Sequence, residues 1–311
     1  MGYQHVSVMA AEVQRFLNPG PGDICVDGTL GGAGHALAIC RAIRPEGMLI
    51  GLDQDSAAVD HACQTLSSCE STVQLFNENF VNLPQILLEL GIDAVDAIIL
   101  DLGVSFYQLR QSGRGFSFRA DEPLDMRMND SADLTASEIV NQYAEKELVL
   151  IFQKYGEERW SSRIAKAVVK ARKEAPVTSS LQLADIIVEA VPHRFRKERI
   201  HPATRVFMAL RIAVNRELEC LEKFLSVGPK LLKTGGRLCI IAFHSLEDRL
   251  VKRCFARLAK GCVCPPDFPV CVCGQKPMAR LLSRKVVKPS QKEIEANPMA
   301  RSARLRGMVR I

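Results

Sequence analysis

No apolar stretch of this chain approaches the roughly 20 residues that a membrane-spanning helix needs, so no spanning segment is expected. Internal repeats and low-complexity tracts are also missing. Residues 1–11 lack a basic start and a continuous apolar core, so no secretory signal is expected. Positive charge is scarce in the first third: residues 1–105 hold only Arg15, Arg41 and Arg44 against thirteen acidic residues, a net of −10. The rest of the 311 residues carries +16, and residues 274–311 hold ten basic and two acidic residues. An acidic first third joined to a basic remainder suggests two jobs on one chain. The basic part suits a polyanion such as nucleic acid, or is simply a solvated surface. With 47% hydrophobic and 24% charged residues, disorder as the main state is excluded. The length fits two domains, or one large domain with an insertion.

Eleven cysteines are an odd number, and several, such as Cys25 and Cys239, sit inside apolar runs. That usage fits reduced thiols in the cytoplasm better than a disulfide framework. Cys262, Cys264, Cys271 and Cys273 stand apart as two Cys-x-Cys pairs around a proline-rich turn. Folded as a hairpin, they offer four thiolates to a structural zinc; the usual zinc spacing is Cys-x2-Cys, and free thiols on a loop are the alternative.

Residues 24–29, Ile-Cys-Val-Asp-Gly-Thr, hold a short apolar run ending in Asp27, with Gly28, Gly31, Gly32 and Gly34 after it and a helical pattern from His35 to Ile43. A second run, 48–53, ends in Asp53. Two more, 73–76 and 94–100, follow, the latter leading into Asp101. Apolar runs alternating with helical stretches predict a parallel sheet with helices on both faces, with ligands at the carboxyl ends of the strands. From 106 to 230 no strand is expected. Thr135-x-x-Glu138 is a capping box opening a helix to about Phe152, and helical patterns follow at 158–173, 181–190 and 203–224. A strand returns at 236–243. A helical block thus interrupts an α/β sheet after its fourth strand, giving segments 1–108, 109–215 and 216–311.

The turn Asp27-Gly-Thr-Leu-Gly-Gly-Ala-Gly-His35 brings backbone close to a ligand at a helix N-terminus. Its glycine spacing misses the Gly-x-Gly-x-x-Gly fingerprint of dinucleotide enzymes, though an NAD(P)-dependent oxidoreductase remains a rival. Asp53 is placed to accept hydrogen bonds from the two ribose hydroxyls of an adenosyl cofactor or of NAD. Asp101-Leu-Gly-Val-Ser105 follows the fourth strand. In methyltransferases acting on exocyclic amines, a polar motif there lies beside the methyl donor and aligns the amine for in-line displacement.

Longer words then accumulate: Arg114-Gly-Phe-Ser-Phe118, Pro123-Leu-Asp-Met-Arg-Met128, Tyr155-Gly-Glu-Glu-Arg159, His201-Pro-Ala-Thr-Arg205, Phe243-His-Ser-Leu-Glu-Asp-Arg249 and Asn297-Pro-x-Ala-Arg-Ser-Ala-Arg-Leu-Arg306. In order and spacing they resemble the bacterial 16S rRNA (cytosine-N4)-methyltransferase family, RsmH or MraW, over nearly the whole chain. The resemblance implies a class I, Rossmann-like methyltransferase with an all-helical insertion domain that recognises RNA. It implies methylation by S-adenosylmethionine of a cytidine N4 in the decoding region of 16S rRNA, within the small ribosomal subunit. Ala33, Gly34, His35, Asp53, Phe80, Asp101 and Gln108 would contact the cofactor. Asp101 is the candidate for orienting the target amine, and His244 a second catalytic candidate. No cysteine is required for attack at an exocyclic nitrogen. A non-catalytic ribosome-assembly factor with a degenerate pocket is the rival from another class, and a homodimer is left open.

Two positions depart from the family. Ala33 stands where glycine is usual, and its methyl is expected to fit only at negative φ. Ser105-Phe106-Tyr107-Gln108 replaces Ser-Ser-Pro-Gln, so two aromatics either stack on the extruded base or pack. Arg194, Arg196, Lys197, Arg199, Arg301, Arg304 and Arg306 are candidates for phosphate contact. Arg211 and Asn215, four apart on one helix, would share a polar face toward the cleft.

Overall fold

The computed structural model describes residues 7–196, 200–262, 264, 265, 268–270 and 272–311. In chain order, α1 (Ala10–Leu17) precedes β1 (Ile24–Asp27), α2 (Gly34–Ile43), β2 (Met48–Leu52), α3 (Ser56–Thr65), β3 (Thr72–Phe76), α4 (Leu83–Glu89) and β4 (Val95–Asp101). Helices α5 (Phe106–Arg110), α6 (Ala136–Gln142), α7 (Glu145–Lys154), α8 (Ser161–Glu174), α9 (Ser180–Ala190) and α10 (Ala203–Asn215) follow. Next come α11 (Glu217–Val227), β5 (Leu232–Ala242), α12 (Ser245–Lys260), β6 (Ala279–Leu281), α13 (Gln291–Ala296) and β7 (Arg304–Arg310). No helix among the described residues is long and apolar enough to cross a membrane.

Two compact units result: Met1–Gly103 with Leu218–Ile311, and Val104–Glu217. The first is built on one sheet of order β3-β2-β1-β4-β5-β7-β6. Strands β1 to β5 run parallel, and β7 is antiparallel to both β5 and β6. This is the Rossmann-like sheet expected of a class I methyltransferase core. The apolar runs are continuous because both faces are covered. Along β4, Ala97 and Ile99 enter one core with Cys25, Leu49 and Ile241, while Ile98 and Leu100 enter another with Val26, Ile50 and Ile240. The second unit is helical around Leu148, Phe152, Ile164, Val168, Leu183, Ile187, Val206 and Leu210.

Two helices expected as single are divided. The Thr135–Glu138 capping box is present, but its helix ends at Gln142, and Glu147 accepts the Ala144 N–H to open α7 afresh. The 203–224 pattern breaks at Arg216, whose φ of 51° ends α10. The strand expected from 236 starts earlier, at Leu232.

Candidate active site

Three carboxylates close three adjacent strands. Asp27 ends β1, Asp101 ends β4 beside it, and Asp53 follows β2 on its other side. Asp27 is buried, and its Oδ1 accepts the Thr29 N–H at 3.1 Å. Burial, reinforced by the charge of Asp53, pushes its carboxyl up to about 7. Asp53 is partly exposed. Its two oxygens accept the N–H groups of Gly31 and Asp55, each at 2.9 Å, so the glycine turn is latched to the end of β2. Desolvation pushes its carboxyl up to about 6.

Asp101 differs from the other two in its partners. Its own N–H donates to Thr29 Oγ1 at 2.6 Å, and its Oδ2 lies 3.7 Å from His35 Nε2. Its Oδ1 is buried and has no hydrogen-bond partner among the described residues. Burial first, then the charges of Asp27 and Glu247, hold this carboxyl well above the ordinary aspartate range. Sequence reasoning passed over Thr29, which ties Asp27 to Asp101 across two strands. Its place two residues after a strand-end aspartate, where a hydroxyl reaches neighbouring backbone, was the available signal.

The start of the turn is closely packed. A Cβ on Gly28 would lie 2.4 Å from Leu100 Cδ2 and 3.2 Å from Phe80 Cβ. The expectation for Ala33 is overturned: its φ is 57°, left-handed, and its side chain is fully buried. The methyl is accommodated by the surrounding core of α2, not by a change of backbone. Gly34 opens α2 and His35 is buried in its first turn.

Phe80 is partly buried and meets the Phe224 ring edge-on at 5.6 Å. His244 is the N-cap of α12, with Nε2 3.1 Å from Glu247 Oε1. Glu247 is itself buried and accepts the N–H groups of Phe243 and His244. In the second unit, Gln108 is buried in α5, where its Oε1 accepts the Ser105 N–H and Ser105 Oγ accepts the Gln108 N–H. That capping box holds the turn without a proline, and it leaves Tyr107 45% exposed.

Several candidate RNA contacts have structural work instead. Arg304 and Arg306 both clasp Asp248, with Arg306 Nε 2.6 Å from Oδ1. Arg211 makes a two-pronged pair with Glu217 at 2.8 Å, and Asn215 bonds to the Met126 and Met128 backbone. Arg196 donates to the Glu189 and Val191 carbonyls. Lys197 and Arg199 lie outside the described residues. Arg301 is exposed, and Arg194 lies over the Phe195 ring. The second unit also holds a hollow of about 150 Å³ lined by Arg159, Trp160, Phe195, His201 and Arg205. The sulfurs of Cys262, Cys264 and Cys273 lie within 4.8 Å of one another; Cys271 is outside the described residues.

A family model described as the MraW methylase family matches residues 2–311. Among curated proteins, "Ribosomal RNA small subunit methyltransferase H" of Desulforapulum autotrophicum is 53% identical over 98% of both chains. The protein of the same name from Desulfosudis oleivorans is 53% identical over 100% of both. That of Geotalea daltonii is 52% identical over 99% of both.

Proposed function

Because this chain belongs to the MraW methylase family, we propose that it is a methyltransferase that uses S-adenosylmethionine to methylate N4 of a cytidine in 16S rRNA. The observation that carries the reading is the buried Asp101 Oδ1, an acceptor without a partner among the described residues, at the sheet rim that also bears Asp53. A rim of acceptors beside a glycine turn at a helix N-terminus fits an adenosyl cofactor with ribose hydroxyls to donate and a sulfonium to neutralise.

S-adenosylmethionine, when bound, supplies an electrophilic methyl group. The protein's task is then positioning. The N4 lone pair of cytosine is delocalised into the ring, so the amine must be turned to direct that pair at the methyl carbon. Asp101 does this by accepting an N4 hydrogen. A carboxyl keeps an acceptor oxygen whether or not it is protonated, so its raised pKa does not disable it. Thr29 fixes the strand end that carries it. Asp53 would hold the ribose and Phe80 the adenine, with Gly34 and His35 lining the turn. Gln108 stiffens its loop, and His244, braced by Glu247, is the second polar group assigned to the reacting end. The methylated nitrogen is cationic and strongly acidic, so water suffices to remove its proton.

The helical unit is assigned to RNA. Its aromatic and cationic hollow suits an unstacked nucleotide, and Arg194 and Arg301 are assigned to phosphates. Isothermal titration is expected to show no S-adenosylmethionine binding by Asp53→Ala. Asp101→Ala is expected to lower kcat about 100-fold on small subunits. Binding of rRNA without transfer of labelled methyl would favour the assembly-factor reading, and NAD(P) binding the oxidoreductase.

The late cysteines are assigned to a structural zinc. Tetrahedral Zn–S bonds of about 2.3 Å place sulfurs about 3.8 Å apart, and Cys262 and Cys273 Sγ are separated by 3.8 Å. One zinc per chain is expected by elemental analysis, lost in Cys273→Ser; metal-free native protein would rule the site out.

A further inference from the structure

Away from the sheet rim, two thiols face a small hollow of about 90 Å³ on the surface of the first unit. Cys40 belongs to the last part of α2 and is 1% exposed. Cys69 lies in the loop between α3 and β3 and is partly exposed, packed against the core that holds Cys40. The loop is anchored there: Ser71 Oγ donates to the Cys40 carbonyl at 3.1 Å, and Cys69 N–H to the Leu66 carbonyl at 3.0 Å. Arg41 and Arg44 line the same hollow, with Arg44 3.6 Å from Glu70. No step of methyl transfer uses either thiol.

We propose that Cys40 and Cys69 form a reversible oxidation site, in which a hydroperoxide such as hydrogen peroxide converts the pair to an intramolecular disulfide. The two sulfurs have different parts. Cys69 is the sulfur that reaches solvent, in a hollow that Arg41 and Arg44 also line. Cys40 is a buried thiol that burial, and then its contact with Cys69, push up to about 12. The accessible Cys69, as thiolate, is the sulfur that attacks the peroxide. An S–O bond forms, the O–O bond breaks, and hydroxide leaves and is protonated to water. Cys40 then attacks the sulfenic sulfur. An S–S bond forms, the S–OH bond breaks, and hydroxide departs with the Cys40 proton as a second water. The peroxide is reduced by two electrons and the two thiols are oxidised to one disulfide. The product would join the end of α2 to the loop before β3.

The test uses the full-length protein with limiting hydrogen peroxide, alkylation of the remaining thiols, and peptide mapping without reduction. The expected product is a cross-linked pair of Cys40 and Cys69 peptides, two hydrogens lighter than the free pair and released by dithiothreitol. Cys69, with Cys40 beside it to resolve the sulfenic acid, is expected to lose its free thiol at least about tenfold faster than the exposed Cys63. In Cys40→Ser, Cys69 should stop at a sulfenic acid that dimedone traps; in Cys69→Ser, Cys40 should remain a thiol. Equal oxidation of Cys63 and Cys69 in the unaltered protein, or progress of Cys69 to sulfinic acid with Cys40 still free, would overturn the proposal without any variant.

Discussion

At Ala33 a methyl group sits on backbone with φ of 57°, a region that costs an L-residue roughly 1–2 kcal/mol. Ala33→Gly relieves that strain but adds roughly 0.4–1 kcal/mol of unfolded-chain entropy and gives up a buried methyl. The terms nearly cancel, so the unfolding free energy is expected to change by less than about 1 kcal/mol. Ala33→Val adds a branch the left-handed region does not accept and is expected to cost more than about 2 kcal/mol by urea titration. Asp27 governs a pH effect. Its folded value of about 7 lies above the ordinary 3.8, so the folded state binds the extra proton between them. Its contribution to stability is full below about pH 4 and is lost as pH rises through 7. Relative to Asp27→Asn, the unaltered protein is expected to lose stability over that window with a slope of up to about 1.4 kcal/mol per pH unit. Equal slopes in urea melts at pH 5 and 7 would contradict the assignment.

Among elements, β7 shows best what a sequence conceals. Residues 304–310 read as part of a basic tail, yet Leu305, Gly307, Met308 and Val309 are buried between β5 and β6. The alternation of Arg304, Arg306 and Arg310 with these residues was the strand signal, masked by charge. Asp248 on α12 resolves the contradiction. Although burial works against it, Arg306 and Arg304 hold its carboxyl below the ordinary range. Asp248→Ala is expected to cost about 2 kcal/mol, less than the roughly 3–5 of fully buried pairs because Arg304 keeps contact with water. The clamp is present above the ordinary aspartate range and lost as pH falls through the lowered value. By contrast, β1, β2 and β4 were legible because apolar runs covered on both faces end in an aspartate. Asp27, Asp53 and Asp101 could therefore be placed before the fold was known. Only the local half of Thr29's role, beside Asp27, was legible; its bond to Asp101 depends on β4 lying beside β1, a pairing of residues 72 apart. The helix breaks after Gln142 and at Arg216 were hidden by apolar periodicity that continues across them.

At the scale of the whole chain, the second unit is one uninterrupted segment with its own core around Phe152 and Leu210. A fragment of residues 104–217 is expected to be helical by circular dichroism and to unfold cooperatively; a gradual melt would show that it needs the rest of the chain. The first unit is divided in sequence, and its two halves meet where β4 pairs with β5, Asp101 opposite Ile241. Doubling a closing loop adds only about 0.6 kcal/mol, so the final stability is nearly indifferent to what lies between those strands. The speed of assembly is not indifferent. A helical segment that collapses on its own local contacts is expected to shorten the span that β5 must close to reach β4. The insertion is thus expected to act as a splint, and weakening its core is expected to slow refolding, read by stopped-flow fluorescence, of a sheet to which it contributes no strand.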